Sequence, residues 1–437
     1  MKRMLRIKRN LHLLLQQLWL TFELYVRNGL ANHASAGAYG FLLSAAPVLL
    51  IISFFVSRAL LASPESAAEH FQNIGFLSGI FNVSDFIKRF FTTDNSGLAG
   101  IISGVIVLWT ARLCALSVRR GLRVVFYGSR FTPVRNAVVT LGLGFLIILF
   151  IFIILLGNKL VIDFFRSFLY PGVLFGHISV FIFSERVFAL GTLTLFILIS
   201  YRFVPEKPPK WKHTIPGMLA CMVLYLIFSL CFTLLIGPDR YNLIYGALGR
   251  LFLFLINVYF FFIFSFFGAQ LILVLDSSEV LLFIRFRQFH CRDSSSRSPW
   301  NRLFSSPPGL LEKYIRSYKR GEIVFSRGSR GQEVYYILSG EAGVYPDEEC
   351  QNRITLVHAA HFFGEMEFIT PGSRAASIKA ETDLSVIILP PDLFRSILET
   401  DPDTDQNLIS DLSERLKNVR ANQEHLSSPG NGAEGGS

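Results

Sequence analysis

Long apolar runs separated by short polar segments dominate the first 280 residues of the chain. A helix needs about 20 apolar residues to cross a hydrocarbon core of about 30 Å, because each residue adds about 1.5 Å of length. Six stretches are candidates: 41–61, 97–118, 137–157, 181–201, 214–237 and 251–275. The third, fifth and sixth contain no charged residue. The pattern therefore predicts an α-helical polytopic membrane protein with six transmembrane helices.

The charges between these stretches predict an orientation. Basic residues are concentrated before the first stretch and in the segments 118–136 and 201–213, whereas segment 62–96 has four acidic residues against Lys88 and Arg89. Basic segments remain on the cytoplasmic side of a membrane. We therefore expect a multi-pass protein of the cytoplasmic (inner) membrane with both termini in the cytosol. Residues 4–26 carry an apolar stripe that predicts an interfacial helix.

The pattern changes after residue 290. Residues 291–308 are rich in Ser and Pro and predict a linker, and from Tyr318 onward short apolar segments alternate with glycines. Such segments are typical of a small β-roll with flanking helices. The predicted organisation is a membrane domain at 1–290, the linker at 291–308, a β-roll domain at 309–425 and a disordered tail at 426–437. A helix at 405–424 is a candidate lid for the roll.

Composition and charge support this division. The chain is 51% hydrophobic and 17% charged, whereas soluble proteins have about 25% charged residues. Residues 300–437 carry 14 basic and 20 acidic residues, so of the net charge of +10 they hold −6 and residues 1–299 hold +16. A disordered or nucleic-acid-coating protein is excluded. The five cysteines lack CxxC spacing and suggest neither a disulfide framework nor a zinc site.

Several motifs of the membrane half are informative in their order and spacing. They are the small-residue run His33 to Pro47, Tyr201-Arg202-Phe203-Val204-Pro205, Pro216-Gly217, Tyr245 to Gly249, and Gly268-Ala269-Gln270. Over residues 10 to 280 the chain resembles the YihY/virulence factor BrkB family of bacterial inner-membrane proteins. The resemblance implies an integral membrane protein for which transport is one candidate activity. Gln270 stands where the family leads us to expect an acidic residue.

Members of that family once carried the label ribonuclease BN. Metal-assisted cleavage of a phosphodiester needs clustered His, Asp and Glu ligands that face water. The nine histidines are dispersed, and the close pair His358 and His361 has no acidic neighbours at ligand spacing. We therefore predict no catalytic residue, no metal site and no enzymatic activity.

The segment from Phe363 to Ala380 carries the candidate site. Gly364 lets backbone N–H groups approach an anion closely. The Arg374 guanidinium can pair with phosphate oxygens, and the Glu365 carboxylate can accept a hydrogen bond from a ribose hydroxyl. Together these groups suit a cyclic nucleotide.

This segment closely resembles the phosphate-binding cassette of cyclic nucleotide-binding domains. The resemblance implies that Phe363, Gly364, Glu365, Met366, Arg374 and Ala375 bind the ligand: Gly364 and Met366 through the backbone, Glu365 at the ribose, and Arg374 with Ala375 at the phosphate. It also favours cAMP over cGMP, because relatives that prefer cGMP have Thr or Ser at the position of Ala375. Glu367 departs from the family, which has a small residue there, and its carboxylate would either repel a phosphate or point to solvent.

These observations favour a transport-related membrane protein that is regulated by cyclic nucleotide at its cytosolic domain. A cyclic-nucleotide-gated ion channel is an alternative, although 181–201 has one Arg and no ladder, and no filter motif lies between 237 and 251. Further alternatives are a membrane-anchored sensor without transport and a roll that binds nothing. The expected partners are the lipid bilayer and the nucleotide, without nucleic acid; a homo-oligomer is compatible with the sequence, and no cofactor is predicted.

Overall fold

A computed structural model describes most of the chain. It covers residues 2–43, 96–126, 137–147, 149–150, 153, 177–205, 208–235, 238–291, 304, 307–369 and 372–401. The chain divides into two compact units, Trp19–Asp276 and Met1–Leu18 with Ser277–Ser437. The first predicted span lies almost wholly outside the described residues, as do most of the linker, the helix at 405–424 and the tail.

The described N-terminal part is helical. Its helices are α1 (Lys2–Arg27), α2 (Ser96–Val125), α3 (His177–Phe203), α4 (Trp211–Leu235) and α5 (Pro238–Asp276), with further helical segments at 30–43 and 137–147. They contain four of the predicted spans in full or nearly so and the first half of the span predicted at 137–157. The predicted apolar runs therefore correspond to helices wherever the structure describes them.

Within the described residues, two helices are long and apolar enough to cross a membrane. They are Trp211–Leu235 and Phe252–Asp276, with mean hydropathies of 2.5 and 2.3. Large apolar side chains of α4, such as Leu219, Ile227 and Leu230, are exposed along the helix, and an apolar surface of this extent is typical of contact with lipid. The number six for the transmembrane helices stays a prediction.

Helices α4 and α5 cross at two glycines. A Cβ atom on Gly268 would lie 2.7 Å from the Gly217 carbonyl oxygen and 2.7 Å from the Tyr201 hydroxyl. The buried Tyr201 hydroxyl also donates to the Ser265 carbonyl. Three motifs that the sequence analysis singled out separately therefore meet at one helix crossing, where small residues permit close approach.

The C-terminal unit contains a roll of two four-stranded antiparallel sheets. The strands are β1 (Ile315–Tyr318), β2 (Ile323–Phe325), β3 (Val334–Ser339), β4 (Ala342–Tyr345), β5 (Thr355–Val357), β6 (Phe362–Phe363), β7 (Ser377–Ala380) and β8 (Leu384–Leu389). Their order is β1-β8-β3-β6 in one sheet and β2-β7-β4-β5 in the other. This confirms the predicted β-roll.

Helices flank the roll. Helix α6 (Ser278–Cys291) is separated from the end of α5 by one residue, α7 (Met366–Ile369) follows β6, and α8 (Pro391–Thr400) follows β8. Phe283 of α6 packs edge-on against Tyr336 at 5.4 Å between ring centroids, and Phe362 and Phe394 join the same apolar core. Although α6 lies almost wholly within residues 1–290, which the sequence analysis assigned to the membrane domain, it packs on the roll.

A buried ion pair accompanies this packing. Arg287 of α6 donates to Asp401, which follows α8, over 3.3 Å, and both side chains are buried. Because a buried charge without its partner is strongly destabilising, this pair restricts how α6 can move relative to α8.

Candidate functional site

Arg374 is held in place by its backbone. Its N–H donates to the Ser329 carbonyl over 2.9 Å, and its own carbonyl accepts from the Gly328 N–H over 2.8 Å. The side chain passes into the roll, where only 2% of the residue is exposed, and the guanidinium lies 4.2 Å from the centre of the Phe325 ring. This stacking is favourable because the face of an aromatic ring attracts a cation.

The buried guanidinium of Arg374 donates to oxygen atoms on both sides. Nη1 lies 3.0 Å from the Gly364 carbonyl and 3.0 Å from Glu367 Oε2. Nη2 lies 3.0 Å from the Glu333 carbonyl and 3.4 Å from Glu333 Oε2. The positive charge therefore has acceptors, as a charge inside a protein requires.

Glu367 connects the two groups that the sequence analysis assigned to phosphate. Its Oε1 accepts the Ala375 N–H over 2.9 Å, while its Oε2 accepts from Arg374. The residue is 5% exposed. The side chain is thus buried, so the reading that it points to solvent is wrong. Its carboxylate lies on the two donors assigned to phosphate, and the reading that it repels a phosphate stays a prediction.

Gly364 adopts a backbone conformation that favours glycine. Its φ is +74°, and a Cβ atom there would lie 2.9 Å from Arg374 Nη1, 3.2 Å from the Tyr335 ring and 3.3 Å from the Glu333 carbonyl. Both the torsion angle and the lack of space therefore require glycine. The residue brings the turn after β6 into direct contact with the arginine.

Aromatic rings form the apolar wall of the site. Phe363 of β6 is buried and stacks on Tyr335 of β3 at 4.9 Å with an angle of 8° between the rings. Burial raises the pKa of the Tyr335 hydroxyl, and the charge of Arg374 opposes this rise. Tyr335 therefore remains neutral at physiological pH and contributes no negative charge to the site.

The six residues predicted to bind the nucleotide lie in different surroundings. Arg374 and Ala375 both donate to the Glu367 carboxylate, the Gly364 carbonyl accepts from Arg374, and Phe363 stacks on Tyr335. Glu365 is 3% exposed, and Met366 at the start of α7 is 46% exposed. The ligand roles given to these six residues stay predictions.

Two neighbours of the arginine were absent from the predicted site. Phe325 stacks on the guanidinium, and Glu333 accepts from it through both its carbonyl and its carboxylate. Both residues precede Arg374 by more than 40 positions, and they approach it because β2 pairs with β7 and β3 pairs with β6. No local motif indicates such contacts.

Two family models match the helical half and the roll, and together they define the class: a membrane-associated helical protein that carries a cyclic nucleotide-binding domain. The family model of the cyclic nucleotide-binding domain matches residues 315–401. The model described as Virulence factor BrkB matches residues 21–281, more than half of the chain. The chain therefore belongs to the BrkB family, with the second domain following it.

Similar proteins match only part of the chain. A CRP-like cAMP-activated global transcriptional regulator of Mycobacterium tuberculosis is 29% identical over 108 residues, which are 24% of this chain and 48% of the regulator. Potassium/sodium hyperpolarization-activated cyclic nucleotide-gated channel 1 of Oryctolagus cuniculus is 31% identical over 120 residues, 26% of this chain and 13% of the channel.

A solved structure, the catabolite activator protein of Thermus thermophilus, is 27% identical, with a TM-score of 0.24 and coverage of 27% of this chain and 57% of that one. The chain spans about half the length of the Mycobacterium tuberculosis regulator that it matches.

Proposed function

We propose that the protein is a non-enzymatic, transport-related protein of the cytoplasmic membrane whose activity is regulated by a cyclic nucleotide bound to the roll. One observation carries the proposal. The Arg374 guanidinium and the Ala375 N–H together hold a carboxylate inside the roll. Two donors that hold the two oxygens of a carboxylate can also hold two oxygens of a phosphodiester.

We propose cAMP rather than cGMP as the ligand. Ala375 supplies a backbone donor but no hydroxyl, whereas a Thr or Ser there is typical of relatives that prefer cGMP. The match to a regulator named as cAMP-activated supports the same choice. The channel alternative is less well supported, because residues 21–281 match the BrkB model.

The effect of nucleotide binding would reach the membrane half through α6. Gly364 follows directly on β6, and Phe362 of β6 packs against Phe283 of α6 at 6.4 Å between ring centroids. Only Ser277 separates α6 from the end of α5 at Asp276. A nucleotide that changes the turn after β6 would thereby bias the position of α6. An allosteric coupling of this kind is typically about 1 to 3 kcal/mol.

Calorimetric titration of the full-length protein in detergent tests nucleotide binding. We expect saturable binding of cAMP, weaker binding of cGMP, and a loss of about a hundredfold or more in affinity in Arg374→Ala, because a buried charged hydrogen-bond donor to the phosphate is removed. Arg353→Ala is the matched control, since Arg353 is a half-exposed arginine of the same domain that pairs with Glu381.

Two results would contradict the proposal. One is a cooperatively melting wild-type protein that binds neither nucleotide at millimolar concentration. The other is equal affinity of the wild type and Arg374→Ala.

A further inference from the structure

The donors proposed for phosphate already hold an anion of the same chain. The Ala375 N–H donates to Glu367 Oε1 over 2.9 Å, and Arg374 Nη1 donates to Glu367 Oε2 over 3.0 Å. Each oxygen of the carboxylate therefore takes one of the two donors. Because Glu367 and Arg374 are 5% and 2% exposed, water does not replace these bonds readily.

We infer that Glu367 is an internal substitute for the ligand phosphate, so that a cyclic nucleotide binds only when it displaces this carboxylate. The inference rests on the proposed function, because it concerns the same site. A phosphate that takes the donors while Glu367 remains would bring two negative charges together in a buried space, where repulsion is strong.

This arrangement has a consequence for the domain without nucleotide. An unpaired buried guanidinium would destabilise the roll, but Glu367 supplies its counter-charge and joins α7 to the segment before β7. The buried charge of Arg374 is therefore paired within the roll even when no ligand is bound. Nucleotide exchanges one anion for another, and the free energy of binding is reduced by the bonds that Glu367 loses.

The neighbouring Glu333 offers a comparison within the same site. Its carboxylate lies 3.4 Å from Arg374 Nη2, but its side chain is 47% exposed. No described hydrogen bond joins it to Ala375. Removing Glu333 changes the charge near Arg374 while leaving the bridge between the two donors intact. It therefore separates occupation of the donors from general repulsion.

The experiment is a titration of the full-length protein with cAMP, cGMP and inorganic phosphate in four forms: wild type, Glu367→Ala, Glu367→Gln and Glu333→Ala. We expect cAMP to bind Glu367→Ala about tenfold to a hundredfold more tightly than the wild type, because two charge-assisted bonds no longer have to be broken. Glu367→Gln, which keeps the size of the side chain, should lie between these two. Glu333→Ala should raise the affinity less than Glu367→Ala does, because the bonds from Arg374 and Ala375 to Glu367 remain in place.

Thermal melting provides a second readout and reports folding. Without ligand, Glu367→Ala should melt below the wild type, because Arg374 loses its counter-charge, and cAMP should raise its melting temperature more than that of the wild type. Glu367→Gln keeps the test valid if the alanine variant does not fold.

Each remaining outcome has a defined meaning. Equal affinity of Glu367→Ala and the wild type overturns the inference and leaves the proposed function intact, and an equal gain in Glu333→Ala overturns it in favour of simple repulsion. Binding by the Glu367 variants alone supports the inference and contradicts the proposed function. If neither nucleotide nor phosphate binds any form, the donors are not an anion site and both fall.

Discussion

At the scale of single residues, Gly364 connects backbone conformation to the chemistry of the site. Its φ of +74° and its 2.9 Å approach to Arg374 Nη1 are two separate constraints. Gly321 shares only the first, because it has a φ of +87° and a Cβ atom there would meet nothing within 4 Å. This pair of glycines distinguishes backbone strain from loss of the site.

Alanine substitutions at the two glycines should therefore share the backbone strain and differ at the site. Gly321→Ala should lower the free energy of unfolding by about 1 to 2 kcal/mol, because an L residue is strained at positive φ, and Gly364→Ala should lower it further, because its Cβ atom would also lie 2.9 Å from Arg374 Nη1. Only Gly364→Ala should weaken cAMP binding, by about tenfold or more, since the added methyl group displaces the guanidinium. Chemical denaturation and calorimetric titration measure the two effects, and equal cAMP affinity of the two variants would contradict this account.

Arg374 and Glu367 show how far the sequence alone predicts the site. Arg374 and Ala375 follow Gly364 at the spacing of a known cassette, so the residue types and their order indicate an anion cradle. The side-chain direction of Glu367 depends on a bond to a residue eight positions away and on burial that the fold creates. The sequence therefore marks Glu367 as unusual without showing that it fills the cradle.

At the scale of elements, the crossing of α4 and α5 depends on glycine. A Cβ atom on Gly268 would meet a backbone carbonyl of Gly217, which cannot rotate away, as well as Tyr201 and Cys221. On α3, by contrast, a Cβ atom on Gly191 would meet nothing within 4 Å. The helices can therefore pack closely only where the backbone carries no side chain.

Gly268→Ala should destabilise the membrane half by about 1 to 3 kcal/mol, because the extra carbon forces the two helices apart. Gly191→Ala is the matched helical control and should be neutral or slightly stabilising, because alanine has the higher helix propensity. Thermal melting of the detergent-solubilised protein compares them. Equal melting temperatures of the two variants would show that α4 and α5 do not pack through Gly268.

Elements with a strong periodic pattern were predictable, and those defined by distant contacts were not. The apolar runs that became α4 and α5 and the short strands of the roll follow from local sequence. Helix α6 was assigned to the membrane domain because its sequence follows directly on that half. Its partners in the core, such as Tyr336 and Phe394, come more than 40 residues later, and no local pattern indicates that packing.

At the scale of the whole molecule, the protein combines a basic helical half of the BrkB family with an acidic half that matches the cyclic nucleotide-binding domain. The division of the chain into these two halves could be predicted from hydropathy and charge. The topology of the membrane half, with both termini in the cytosol, remains a prediction that is based on the basic segments. We propose that a nucleotide bound at Arg374 changes α6, the helix that follows the last helix of the membrane half after one residue.

Hydrogen–deuterium exchange of the full-length protein with and without saturating cAMP tests this coupling. We expect a change in exchange in two segments, residues 363–376 at the site and 278–291 in α6, and the absence of both changes in Arg374→Ala. Changes at 363–376 alone would show that the roll binds cAMP without coupling to α6. Unchanged exchange in both segments of the wild type would contradict the account.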